Sequence, residues 1–274
     1  MIATLKDVLP ACLINGTAVA GLVVLGWEDA RAYVMAAEAE RRPVILQAGP
    51  GCRAHTPLAV LAAMFRVLAE QATVPVVAHL DHGESLEVCR QAVECGFSSV
   101  MYDGSALPLA ENIARTAEVV AMARPRGVSV EGELGFVGYH GGAQSLGTKP
   151  DQVAEFWAAT GVDALAVSVG NAHLMQAVGA EVDWVRLRAI QAAAPALPLV
   201  LHGGSGLDPA LRLRLARETS VCKFNIGTEL RMAFGAALRE AVNRDPARFD
   251  RNQILAETIP AMVAAARGAI GSLA

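Results

Sequence analysis

Lysine is scarce in this chain, occurring only at Lys6, Lys149 and Lys223, and the net charge is -4 with a pI near 5.9. With no basic patch to neutralise a phosphate backbone, nucleic acid is excluded as an expected partner. Aromatic residues make up only 5% of the chain, so any core must be built from aliphatic side chains and alanine. The five cysteines, Cys12, Cys52, Cys89, Cys95 and Cys222, form no CxxC pair, and their odd number and scattered spacing do not make a disulfide framework. Reduced thiols in a cytoplasm are the simpler expectation. No linker, low-complexity stretch or long charge block divides the sequence, and the charged stretch Arg244–Asn252 reads as a solvated loop between terminal helices. A single domain spanning residues 1–274 is therefore expected.

Long apolar runs are missing as well. The segment Ala11–Val24 is apolar, and Ala18-Val19-Ala20 has the form of a signal-peptide cleavage site, but Asp7 dilutes the basic end and Asn15-Gly16-Thr17 interrupts the run. It falls short of the roughly 20 residues that span a bilayer. Its apolar end is expected to be a strand, and no membrane partner is expected.

What the chain does have is 53% hydrophobic residues and 25 glycines over 274 residues, enough to bury a large core with many tight turns. Eight short runs rich in Val, Ile and Leu recur: Leu22–Leu25, Val44–Gln47, Val76–Leu80, Ser98–Tyr102, Val128–Glu133, Ala164–Val169, Leu199–His202 and Cys222–Ile226. Near-continuous apolar strands suit a parallel sheet covered on both faces. Helical patterns separate them, for example Glu28–Ala39, Leu86–Glu94 before Gly96, Leu109–Ala123 before Pro125, and Pro150–Thr160 before Gly161. An open doubly wound sheet would also alternate, but it would gather its ligand contacts at one switch point. Here polar residues follow nearly every late run, which favours an α/β fold of the (β/α)8 TIM-barrel type.

The chemically able side chains follow those runs: Asp81-His82, Asp103, Glu131 and Glu133, His173, His202 to Ser205, and Asn225 to Thr228. Three of the six histidines, His82, His173 and His202, are thereby expected on one rim. Three histidines with an open fourth position hold a catalytic zinc, whereas a structural zinc is closed by four protein ligands. Singly, each is as well explained as a hydrogen-bonded strand end. Gly203-Gly204-Ser205-Gly206 would offer backbone N–H groups to an anion, and Asn225-Ile226-Gly227-Thr228 would add side-chain donors, at the position where barrels bind phosphate. His79 shares parity with Asp81 and is expected inside the barrel, while His55 lies in a loop without an assignable partner.

Five segments together carry a resemblance: Ala78-His79-Leu80-Asp81-His82-Gly83, Val130-Glu131-Gly132-Glu133-Leu134-Gly135, Thr160 to Val167, His202-Gly203-Gly204-Ser205-Gly206, and Lys223-Phe224-Asn225-Ile226-Gly227-Thr228-Glu229-Leu230. On these the chain resembles the class II fructose-bisphosphate and tagatose-bisphosphate aldolases over almost its whole length. The resemblance implies Zn2+ or another divalent metal on His82, His173 and His202, with a monovalent cation as a further cofactor. It implies Asp81 as the acid/base at the C4 hydroxyl, and Asp103 and Glu133 as a second or alternate metal position. Gly203, Gly204, Ser205, Asn225, Ile226, Gly227 and Thr228 match segments that bind the phosphate and dihydroxyacetone portion of a sugar phosphate. A homodimer or homotetramer is implied too.

Three departures bear on the substrate. Leu174 follows His173 where the family usually has a glycine, and its side chain could narrow the phosphate pocket. The loop from Phe136 to Gln144 is short and lacks an acidic residue that relatives use to protonate the enediolate; His140 could take that role or be an exposed loop residue. Val23 and Gly26 stand where the family commonly has asparagines. Two other readings remain open: a Schiff-base aldolase using Lys223, and a barrel that only binds metal or sugar.

Overall fold

The computed structural model describes residues 1–138 and 141–274. Eight parallel strands close into a barrel: β2 (Val19–Val23), β3 (Val44–Ala48), β4 (Val76–Gly83), β5 (Ser99–Tyr102), β6 (Ser129–Leu134), β7 (Ala164–Val167), β8 (Leu199–Leu201) and β9 (Val221–Ile226). Closure is made by β9 on β2, with Gly21 opposite Asn225 and Leu22 opposite Ile226. A further two-residue strand, β1 (Ile2–Ala3), lies against the start of β4 before β5 begins.

The outer ring comprises α2 (Trp27–Glu40), α3 (Pro50–His55), α4 (Leu58–Gln71), α5 (Leu86–Cys95), α6 (Leu109–Ala123), α7 (Pro150–Thr160), α8 (Trp184–Ala193), α9 (Pro209–Glu218), α10 (Thr228–Arg244), α11 (Arg251–Ala256) and α12 (Ile259–Gly271). Their ends follow local chemistry. Ser85 Oγ accepts from Val88 N at 3.2 Å to cap α5, and Gly96 and Gly161 end α5 and α7 in the left-handed region. Outward-facing strand residues such as Leu22, Leu46, Val100, Leu165 and Phe224 are buried beneath this ring.

The barrel interior has two levels. Its lower half is apolar: Val19, Ile45, Val77, Met101, Ala164, Ala166, Val200 and Cys222 pack on a preceding helix, α1 (Leu5–Asn15), through Leu5, Val8, Leu9 and Cys12. This helix plugs the end opposite the strands' carboxyl termini. Above it lies a layer of fully buried polar residues, Gln47, His79, Ser99, Glu131 and Lys223.

One local expectation is corrected. The first strand is Val19–Val23, not Leu22–Leu25, because Val24 and Leu25 continue the apolar run beyond the sheet; Leu25 is 41% exposed at the rim. Apolarity alone does not distinguish a strand from an apolar pocket edge. The segment Ala11–Val24 divides at Gly16, which ends α1 with φ 62. The helical run Arg251–Gly271, with mean hydropathy 1.3, is by length and composition apolar enough to cross a membrane. It is split into α11 and α12, and α12 buries Met262, Ala266, Ala269 and Ile270 in the shell of the barrel.

Candidate metal centre and its pocket

The carboxyl ends of the strands bring the chemically able residues together. Asp81 and His82 end β4, Asp103 follows β5, Glu133 is near the end of β6, His173 follows β7, and His202 follows β8. The imidazole rings form a triangle, with centroids 5.5 Å apart for His82 and His173, 4.8 Å for His82 and His202, and 5.5 Å for His173 and His202. One ring nitrogen from each lies within 4.8 Å of the others.

Each ring is held by its surroundings. His202 Nε2 lies 3.3 Å from Glu131 Oε1, which as carboxylate accepts its hydrogen, leaving His202 Nδ1 buried without a partner among the described residues. A ring oriented through one nitrogen with the other lone pair free is the arrangement of a metal ligand. Glu131 also accepts from Lys223 Nζ at 2.6 Å. Lys223 in turn lies 3.3 Å from His79 Nε2, so that His79 Nδ1 donates to Ser99 Oγ at 2.8 Å. The His202 carbonyl accepts from Asn171 Nδ2 at 3.0 Å, and Asn171 Oδ1 accepts from Val169 N. Gly203 adopts φ 67, and a Cβ there would stand 2.0 Å from the Ala172 carbonyl oxygen, so only glycine lets this turn approach the segment bearing His173.

His82 belongs to a second group. Its Nδ1 is 2.7 Å from Asp103 Oδ2 and 3.9 Å from Glu133 Oε2. Burial opposes charge on His82, but Asp81, Asp103 and Glu133 raise it to about 10. Against the same opposition from burial, the His82 hydrogen bond and charge hold Asp103 down to about 2. Burial and the neighbouring Asp103 push Glu133 well above the usual carboxylate range, and its Oε2 has no hydrogen-bond partner among the described residues. Asp81 is held well below that range despite burial, because His82, His202 and Lys223 surround it. Burial and the other two rings hold His173 down to about 3, keeping it neutral as a ligand must be. Carboxylates crowded around three imidazoles, with a buried orphan nitrogen on His202 and a buried orphan oxygen on Glu133, fit a divalent cation, whose charge would take the place of the proton those carboxylates favour on His82.

Beside this cluster opens a cavity of about 290 Å³. Of the residues expected from sequence, Asp81, His82, His173, Gly203, Ser205, Asn225, Gly227 and Thr228 line it. Asn225 Nδ2 donates to Asp81 Oδ1 at 3.2 Å. Ser205 Oγ accepts from Gly227 N and Glu229 N, both at 3.3 Å, and joins the two loops expected to bind phosphate. Ile226 is not part of the lining: its side chain points into the core between barrel and helices. Gly204 is buried behind the turn, where its carbonyl accepts from Arg212 Nε at 3.0 Å. Asp103 and Glu133 cluster with His82 but do not line the cavity.

Leu174 lines the cavity with φ 59 and remains 47% exposed. Val23 and Leu25 add apolar surface to the lining, which also includes Gly49 to Cys52. Arg231, one turn into α10, reaches the same lining and has no carboxylate within ion-pair distance among the described residues. Sequence reasoning missed Arg231, although its place three residues after Thr228 put it on the first turn of a helix beginning at the rim. His140 lies outside the described residues.

A family model described as fructose-bisphosphate aldolase class-II matches residues 3–274. The crystal structure of the YdjI aldolase from Escherichia coli K12 is similar at 32% sequence identity and a TM-score of 0.85, covering 100% of this chain and 97% of that one. A fructose-bisphosphate aldolase from Campylobacter jejuni shares the fold at 23% identity and a TM-score of 0.83, over 99% of this chain and 95% of its own.

Proposed function

The chain belongs to the class-II fructose-bisphosphate aldolase family, a divalent-metal-dependent family of lyases, and from that membership we propose that it cleaves or condenses a ketose phosphate between C3 and C4, with dihydroxyacetone phosphate as one product. The observation that carries this is the convergence of His82, His173 and His202 on one point beside Asp81, at the floor of a cavity large enough for a sugar phosphate.

In this reading the three histidines hold Zn2+, and a divalent ion there supplies Lewis acidity for the ketose carbonyl and for the charge that develops as the carbon–carbon bond breaks. The Asp81 carboxylate, oriented by Asn225 and kept ionised by its neighbours, accepts the C4 hydroxyl proton as C3–C4 breaks and C4 becomes the aldehyde. Glu131 and Asn171 hold His202 in place by its ring and its carbonyl. The Ser205 and Gly227 loops, tied together through the Ser205 hydroxyl, bring the start of α10 and its favourable dipole to the cavity as the proposed phosphate site. Val23 and Leu174, which depart from the family pattern, line the cavity together with Leu25 and the cationic Arg231, and on those departures the aldehyde half is proposed to differ from that of fructose 1,6-bisphosphate. The buried thiols support a reducing compartment such as the cytoplasm, and a homodimer or homotetramer is part of the same proposal.

Lys223 is poorly disposed for a Schiff base: it is fully buried below the cavity and bound to Glu131 at 2.6 Å. The deciding experiment is a cleavage assay over ketose phosphates and unphosphorylated ketoses, after chelation and with Zn2+ restored. Turnover should vanish with the chelator and return with the ion. Chelator-resistant turnover with borohydride-trapped label on Lys223 would establish the Schiff-base route instead.

A further inference from the structure

β4 loses its neighbours where its chemistry begins. Its pairing with β3 ends at Ala48 opposite Leu80, and its pairing with β5 jumps from Leu80 opposite Val100 to Gly83 opposite Tyr102. Asp81 and His82 therefore have no ladder partner on either side, and His82 takes φ 50, in the left-handed region that an L-residue adopts only at a cost. Their carbonyls need donors from elsewhere, because a buried carbonyl without one is costly.

Arg53 of α3 supplies them. Its Nη1 donates to the Asp81 carbonyl at 2.6 Å and to the Ala48 carbonyl at 3.0 Å, and its Nη2 donates to the His82 carbonyl at 3.0 Å. One rigid fork thus ties the end of β3 to both peptide groups at the irregular end of β4. The side chain is only 10% exposed, and Glu84, its one ion-pair contact among the described residues, is 3.9 Å away and 69% exposed, so the backbone bonds dominate its surroundings.

We infer that Arg53 is a positioning residue for the metal centre, fixing the peptide planes of Asp81 and His82 and so the directions of the carboxylate and the imidazole they carry. It acts from behind, since it does not line the cavity. Lysine cannot reproduce the contact, because a single ammonium lacks the planar fork that reaches three carbonyls on two strands. The inference rests on the proposed roles of Asp81 and His82.

The test uses Co2+ as probe ion in the full chain, reading its dissociation constant by chelator competition, its visible absorption spectrum, and kcat and KM separately. Arg53→Met is expected to weaken Co2+ binding about 10–100-fold, as loss of outer supports to a metal site does. The absorption bands should shift, and kcat should fall by a similar factor with KM little changed. Arg53→Lys should fall between wild type and Arg53→Met. Millimolar guanidinium added to Arg53→Ala should recover part of the Co2+ affinity, while equal urea should not. Wild-type affinity and spectrum in Arg53→Lys and Arg53→Met would overturn the inference; if Arg53→Met does not fold, failure of guanidinium to act on Arg53→Ala together with a wild-type Arg53→Lys would do so. His82→Ala separates the two levels. Undiminished Co2+ binding there overturns the proposed metal site itself, whereas lost binding there beside unaffected Arg53 variants overturns only the role of Arg53.

Discussion

Leu174 occupies a backbone conformation that glycine adopts without cost and a leucine adopts at about 1–2 kcal/mol, while its side chain stands half exposed in the cavity wall. Strain kept at a pocket wall suggests that the side chain selects substrate. Leu174→Gly should relieve the strain, offset by about 0.4–1 kcal/mol of added freedom in the unfolded chain. The melting temperature should therefore hold or rise slightly, and kcat/KM should improve for bulkier aldehydes relative to small ones. An unchanged ratio across an aldehyde series would remove Leu174 from the selectivity of the pocket. Asp81→Ala should keep its metal by elemental analysis and lose cleavage by about 10²–10⁴-fold; full turnover would refute the acid/base role. Strand-end position made His82 and His202 legible in the sequence, and family motifs marked Asp81. Arg53 and Asn171 were not legible, because their partners are carbonyls that become available only where β4 and β8 leave the ladder.

At the scale of elements, α1 shows how a pattern can be present and still be missed. Leu5, Val8, Leu9 and Cys12 follow the spacing of one helical face, and Asp7 accepts from Thr4 N and Oγ1 at 2.8 Å to start the helix. Pro10 within the helix and the apolar residues after it obscure that stripe in the sequence. The eight main strands were legible because burial on both faces leaves continuous Val, Ile and Leu runs. The plug makes a prediction of its own. Leu9→Ala, at a fully buried position between α1 and the lower barrel, should cost about 2–5 kcal/mol in denaturant unfolding. Metal content per folded chain should stay at the wild-type value, because the polar layer lies between plug and site. Loss of metal without loss of stability would contradict this division of the barrel.

For the whole molecule, the buried polar layer sets the response to acid. Burial and the adjacent Lys223 hold His79 down to about 3 from its ordinary 6.5, so between these values the unfolded chain binds a proton that the folded chain refuses. Stability should then fall as pH drops from about 6.5 toward 3, by up to about 1.4 kcal/mol per pH unit from this group. Melting curves across that range test it: His79→Gln should show a shallower decline, and an identical slope would exclude His79 as its source. The three histidines also come from segments far apart in the chain, at positions 82, 173 and 202. An ion on all three would act as a removable cross-link between the ends of β4, β7 and β8. By mass action it would add about 2.7 kcal/mol when free metal is a hundredfold above the dissociation constant. The heat tolerance of this chain would then track the free metal around it, and starvation for the ion would reduce the lifetime of the folded protein as well as its activity.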